Sequence, residues 1–257
     1  MDAFVKTQSQ WEGVEPEMYT DSLGLVTTAI GYLIDDKSGI NGYGPALVIP
    51  WVHKSDGQPA TQAEIIQDWQ TVKNAHKASG SYDAPTDRKI TQLKISPTVI
   101  QDLTASRMAD NEKELVKSLP HFADAPADAQ MAVHGMAWAM GGAFIPKDGF
   151  HVFADAFNRG DWAAAKANSN FRGAAPQRKA GQDLMFDNAA TVAANKLDPD
   201  TLWYPGTAPT TVAGHVVAKL KSPAVAVAIV AGVAAIGVGI YLGASRPAPR
   251  RLPARAA

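Results

Sequence analysis

Glu12, Asp21 and Thr27 place two carboxyl groups and a hydroxyl close together near the start of the chain. Such a set suits hydrolysis in which one carboxylic acid protonates a leaving group while a carboxylate and a hydroxyl orient water on the far side, as glycosidic bonds require. The elements needed to position them are legible. A helix starting near Asp2 is expected to end at Glu12, with Gly13 as a left-handed stop. A carboxylate there faces the negative end of the helix dipole, a location that suits a general acid. Asp21 opens the turn Asp21-Ser22-Leu23-Gly24, and residues 25–30 read as a strand with Thr27 on one face and its neighbours on the other. On spacing alone the set stays ambiguous, because Glu-Gly is also an ordinary helix end and Asp-Ser an ordinary turn.

The rest of the chain divides by pattern. Residues 34–94 are turn-rich and enclose one expected helix, opened by a capping box at Thr61 and Glu64 with Ile65, Ile66, Trp69 and Val72 on one face. Residues 95–190 read as helices. Ser96-Pro97 is a cap followed by proline at the first helical position. Residues 131–140 are apolar nearly all round, as in a central buried helix, and Phe150, Phe153 and Phe157 recur at helical spacing before Gly160. The expected fold class is α+β, with a small β-containing N-terminal lobe and a helical C-terminal lobe over residues 1–190, of which 34–94 form an enlarged β-lobe. Residues 191–221, interrupted by Pro199, Pro205, Gly206 and Pro209, read as a linker.

Residues 222–245 carry no charge and are dominated by Ala, Val, Ile and Gly, long enough for a single C-terminal transmembrane helix. An Arg-rich tail, 246–257, follows. Within the span Ala235, Gly239 and Gly243 make a small-residue stripe on which two helices could pack, although an Ala/Gly-rich span also produces such a stripe without partners. The net charge of −1 conceals a division: residues 1–218 carry 18 Lys and Arg against 25 Asp and Glu, whereas the last 39 residues carry six basic groups and no acidic one. The acidic body argues against nucleic acid as its partner and leaves only the Arg tail for such a contact. Arg246, Arg250, Arg251 and Arg255 outnumber Lys219 and Lys221, which puts the C-terminus inside. The first residues show no positive region followed by an apolar core, so no signal peptide is expected. Without cysteine, thiolate metal sites and disulfides are excluded. The histidines show no metal-ligand spacing, and no cofactor motif is present; His134 is expected to be a satisfied core residue.

Glu12-Gly13, Tyr19, Asp21, Gly24, Thr27 and Gly31 match in spacing the active-site stretch of the T-even phage-type lysozyme family, the phage endolysins or muramidases of glycoside hydrolase family twenty-four. The resemblance resumes at Met136-Ala137-Trp138-Ala139-Met140-Gly141, at Gly160-Asp161-Trp162-Ala163-Ala164-Ala165, and at Pro176-Gln177-Arg178 with Phe171 and Phe186 around it. It covers residues 1–33 and 95–190. It implies a lysozyme-like fold and cleavage of the bond between N-acetylmuramic acid and N-acetylglucosamine in bacterial peptidoglycan, with inversion. The roles it carries over are general acid for Glu12, a carboxylate on the opposite face for Asp21, a water-holding hydroxyl for Thr27, and the ion-pair partner of Glu12 for Arg178. Leu33, Trp138 and Met140 are the candidate substrate contacts, although core packing also accounts for Trp138, and Trp51 is a further candidate sugar platform.

Three features depart from the family's pattern. Tyr32 stands where the family has His, and Arg107 where it has the Asp partner of that His, so this buried ion pair is replaced or lost. Residues 34–94 are about twice as long as the family's β-lobe. A polar cleft residue becomes Ala139. With the span added, the expectation is a wall-cutting enzyme held by one membrane pass, either in the internal membrane of a phage particle or in the host inner membrane facing the periplasm. The alternatives are a lytic transglycosylase and a non-catalytic, membrane-anchored virion structural protein that keeps a lysozyme fold.

Overall fold

The computed structural model describes residues 2–79 and 84–210. The membrane run 222–245, its small-residue stripe and the Arg tail lie outside the described residues. Among those described, no helix is long and apolar enough to cross a membrane.

The fold is mixed α+β. Helix α1 (Asp2–Glu12) leads into β1 (Glu15–Thr20), β2 (Val26–Ala29) and β3 (Tyr32–Leu33), an antiparallel sheet in that order. Gly13 stops α1 as expected: its φ is +79°, and its N–H donates to the Ser9 carbonyl at 3.0 Å. The expected alternation along β2 is absent, since all four of its residues are buried. The reason is tertiary: α2 (Gln62–Ser79) and α4 (Pro97–Ser118) both pack on this strand, so neither face meets solvent.

Strands β4 (Val52–His53) and β5 (Leu93–Lys94) pair antiparallel and frame the enlarged lobe, with α2 and α3 (Ala84–Ile90) between them in sequence. The capping box forms, Glu64 accepting from the Thr61 N–H at 2.7 Å and the Glu64 N–H donating to the Thr61 hydroxyl at 3.4 Å. Ile65, Trp69 and Val72 are buried, and Trp69 Nε1 donates to the Ile34 carbonyl at 3.1 Å. Helix α3 was not foreseen. Its buried Asp87 accepts from the Thr20 N–H at 2.9 Å and the Thr20 hydroxyl at 3.1 Å, fastening it to the end of β1.

The helical part comprises α4, α5 (Ala127–Met140), α6 (Phe144–Asp148), α7 (His151–Asn158), α8 (Trp162–Ala167) and α9 (Pro176–Asn195). Ser96 caps α4 by accepting from the Val99 N–H at 3.3 Å, with Pro97 at the first position. Helix α5 runs through the centre, buried almost throughout and packed on α4 and α9. Phe144, Phe153, Phe157 and Phe186 build the core beside it, each ring contributing about 2–3 kcal/mol by leaving water.

The expected linker, 191–221, is structured as far as it is described. Helix α9 continues to Asn195, and the following segment docks on the helices: buried Asp128 accepts from the N–H groups of Trp203 and Tyr204 at 2.8 and 3.0 Å, and Asn188 accepts from Ala208 at 2.9 Å. Prolines that break periodicity also suit an extended strap whose backbone donors are satisfied by side chains of the body.

Candidate active site

Glu12 reaches its position because α1 stops there. Arg178, in the first turn of α9, donates through Nη2 to Glu12 Oε1 and through Nη1 to the Gly135 carbonyl of α5 at 2.8 Å. Its guanidinium also lies over the Trp11 ring, 5.1 Å from the centroid. Arg178 is 5% exposed at the side chain and Glu12 35%, so the acid keeps an open side while its partner is sealed in. Burial pulls the Arg178 guanidinium below its ordinary range, and the neighbouring Glu12 carboxylate works against that shift.

Asp21 holds its own turn. Its Oδ1 accepts from the N–H groups of Leu23 and Leu25 at 2.9 and 2.8 Å, its N–H donates to the Leu25 carbonyl at 2.9 Å, and Gly24 N–H donates to the Asp21 carbonyl at 2.9 Å. Gly24 must be glycine on two counts. Its φ is +73°, and a Cβ there would meet His76 Nε2 of α2 at 2.4 Å. Lys73, one turn earlier on α2, donates to the Gly24 carbonyl at 2.7 Å and to buried Asp35 at 2.6 Å. The helix that enlarges the β-lobe therefore buttresses the Asp21 turn, a role the sequence pattern did not indicate.

Thr27 pairs with Tyr19 across β1–β2 and with Leu33 across β2–β3. It is 4% exposed, and its hydroxyl donates to the Tyr19 carbonyl at 3.4 Å. With its proton committed to that carbonyl, the oxygen keeps lone pairs for an incoming donor such as water.

The candidate substrate contacts separate. Leu33 is 39% exposed on β3, opposite Thr27, and Met140 is half-buried at the end of α5. Trp138 is not available to a ligand: it is 3% exposed, its Nε1 donates to the Ile30 carbonyl at 3.1 Å, and the Arg107 guanidinium covers its ring at 4.2 Å. Trp51 is likewise sealed, donating to the Ala46 carbonyl at 2.9 Å, and is no sugar platform. His134 is a core residue, edge-on to Phe4 and Phe122, with Nε2 3.7 Å from Glu112 Oε2. It is not fully satisfied, because its Nδ1 has no hydrogen-bond partner among the described residues.

Arg107 resolves the departure at the Tyr32–Arg107 pair. In place of an ion pair, its Nη1 donates to the Gly31 carbonyl at 2.6 Å and its Nη2 to the Trp138 carbonyl at 2.7 Å. Among the described residues no cluster of His, Asp and Glu could hold a metal ion. The chain matches no protein-family model, and no curated protein matches it.

Proposed function

We propose that this chain is a peptidoglycan hydrolase of lysozyme-like fold, a muramidase acting with inversion and held at a membrane by residues 222–245. The observation that carries this reading is the Glu12–Arg178 ion pair. An arginine singled out from the late Pro-x-Arg pattern meets the carboxyl singled out from the N-terminal stretch. Agreement between two distant parts of the sequence at one contact is what chance matches of short motifs do not produce.

In the proposed reaction Glu12 delivers its proton to the bridging oxygen of the glycosidic bond. Charge develops on its carboxylate as the bond breaks, and the preorganised Arg178 guanidinium stabilises that charge. Water attacks the anomeric carbon from the other face. Thr27 accepts one of its hydrogens, and the Asp21 carboxylate, whose backbone bonds fall on Oδ1, takes the proton as the C–O bond forms. Having both Asp21 and Thr27 favours hydrolysis, which ends in a reducing sugar, over an acid-only release of anhydro sugars.

The substrate is bacterial peptidoglycan, with exposed Leu33 and half-buried Met140 as its candidate contacts. The body carries a surplus of acid while the wall is anionic, so free diffusion to the wall is disfavoured; tethering raises the local concentration and offsets that repulsion. The positive charge of the Arg tail suits a contact with nucleic acid. Renatured full-length protein in a peptidoglycan gel should clear the wall, and the soluble products should carry reducing ends. Absence of clearing, with the fold intact, overturns the proposal in favour of a structural protein. Recovery of the chain in the lipid fraction of purified particles tests the anchor.

A further inference from the structure

Arg107 lies on α4, remote in sequence from every residue given a chemical role above, yet its bonds end at the candidate site. We propose that it is a positioning residue, pinning the sheet that carries Thr27 onto the turn of α5 where Arg178 seats Glu12. The proposal rests on the roles assigned to Glu12 and Thr27.

Two guanidiniums use neighbouring carbonyls of one helix. Arg178 ties Glu12 to Gly135 at 2.8 Å, and Arg107 ties Gly31 to Trp138, with N–O distances of 2.6 and 2.7 Å. Gly135 and Trp138 are three residues apart, a rise of about 4.5 Å along the axis. The acid and the sheet that carries Thr27 are thereby each bonded, through an arginine, to a single turn of α5. Trp138 adds a third tie, from its Nε1 to the Ile30 carbonyl at 3.1 Å. Ile30 and Gly31 form the connection between β2 and β3, and Thr27 and Leu33 face each other across those strands. Fixing this connection fixes the Thr27 hydroxyl.

The residue type suits the task. A planar fork holds two donors at a fixed spacing and direction, which a rotating ammonium does not, and its face can lie on an indole as it does here at 4.2 Å. Burial lowers Arg107 from its ordinary range, while the Glu12 carboxylate favours its cationic form, so the bridge also places positive potential within reach of the acid. The Asp that the resemblance leads one to expect at this position could not donate to either carbonyl.

The test compares R107M and R107K with wild type by kinetics on peptidoglycan and by amide hydrogen exchange. R107M should lower kcat about ten- to a hundredfold with KM changed less than about threefold, since a misplaced hydroxyl harms the reacting step more than wall binding. R107K should recover part of the loss. In a T27A background R107M should cost less than about threefold, because the strand it positions no longer carries the hydroxyl. Exchange at Thr27, Thr28 and Ala29 should rise about tenfold in R107M while exchange in α9 is unchanged. Wild-type kcat in R107M, a full additional loss in T27A, or unchanged exchange in the strand overturns the proposal. Where R107M fails to fold, R107K decides: its ammonium lacks the rigid two-donor fork, so strand exchange at the wild-type rate overturns the clamp. A wild type without wall-cutting activity overturns the function proposed above, and the exchange comparison still decides the clamp.

Discussion

Glu12 and Arg178 are separated by 166 positions in the sequence and form one ion pair at the end of α1. Each charge sits at the wrong end of its own helix. Glu12 faces the negative end of α1 and Arg178 the positive end of α9, placements that each cost a few tenths of a kcal/mol or more in isolation. Their contact offsets both. Local rules broken at one point and compensated across the fold are expected where function, and not stability, selects the residues.

Replacing Arg178 by Met should lower stability by about 1–3 kcal/mol in urea unfolding. Met keeps some packing on Trp11, but the ion pair and the bond to the Gly135 carbonyl are lost. The half-open Glu12 can recover water, which keeps the cost below that of a sealed pair. Wall-clearing activity should fall at least tenfold in the same variant. R178K should lie between the two, holding the charge without the fork.

Gly24→Ala should lower Tm sharply, a loss of about 2–3 kcal/mol, because the position combines a φ of +73° with a 2.4 Å approach of the added carbon to His76. Adding H76A should return the steric part and leave the backbone part. Full recovery in the double variant would mean that the backbone conformation carries no strain for alanine.

Lys73→Met leaves the fully buried Asp35 carboxylate without its cation, so stability should fall by about 3–4 kcal/mol. The double variant with D35N should recover a substantial share, since the amide oxygen can still accept from Val26 or Lys37. A double variant no more stable than K73M would show that the Lys73 bond to the Gly24 carbonyl, and not the buried charge, sets the cost.

Acid should weaken the fold through His134. Burial holds its imidazole down to about 4, against an ordinary value of 6.5. Between those values the unfolded chain binds a proton that the folded one refuses. Stability present above pH 6.5 is therefore lost progressively as pH falls toward 4, by up to about 3 kcal/mol. H134Q should remove this part of the slope. Buried Asp68 and Asp128, and half-buried Glu112, titrate upward and work in the opposite direction, so the difference between wild type and H134Q is the quantity to measure.

Features set by neighbours in sequence were legible from it: the stop at Glu12-Gly13, the Thr61–Glu64 box, the Ser96 cap and the buried helix α5. The Glu12–Arg178 contact was legible only through resemblance, since nothing local links residue 178 to residue 12. What was misread depends on contacts across the fold. Trp138 was a candidate substrate contact on a helix expected to be buried, and the core position is the one it takes, with Arg107 over its ring. Helix α3 is short, begins Ala-Pro and gains its anchor from Thr20, so its own seven residues carried too little periodicity to announce it. The segment after α9 looked like a linker because its hydrogen-bond acceptors, Asp128 and Asn188, lie in other elements.

The most direct measurement is clearing of a peptidoglycan gel by the wild type and by Glu12→Gln, with both confirmed folded by circular dichroism. Gln keeps the shape of Glu12 and an acceptor for Arg178 but has no proton of the required acidity to give. The wild type should clear the gel and release reducing sugars, and the variant should be at least a thousandfold weaker. Clearing by Glu12→Gln at anything near the wild-type rate would contradict the role of Glu12 and the mechanism built on it.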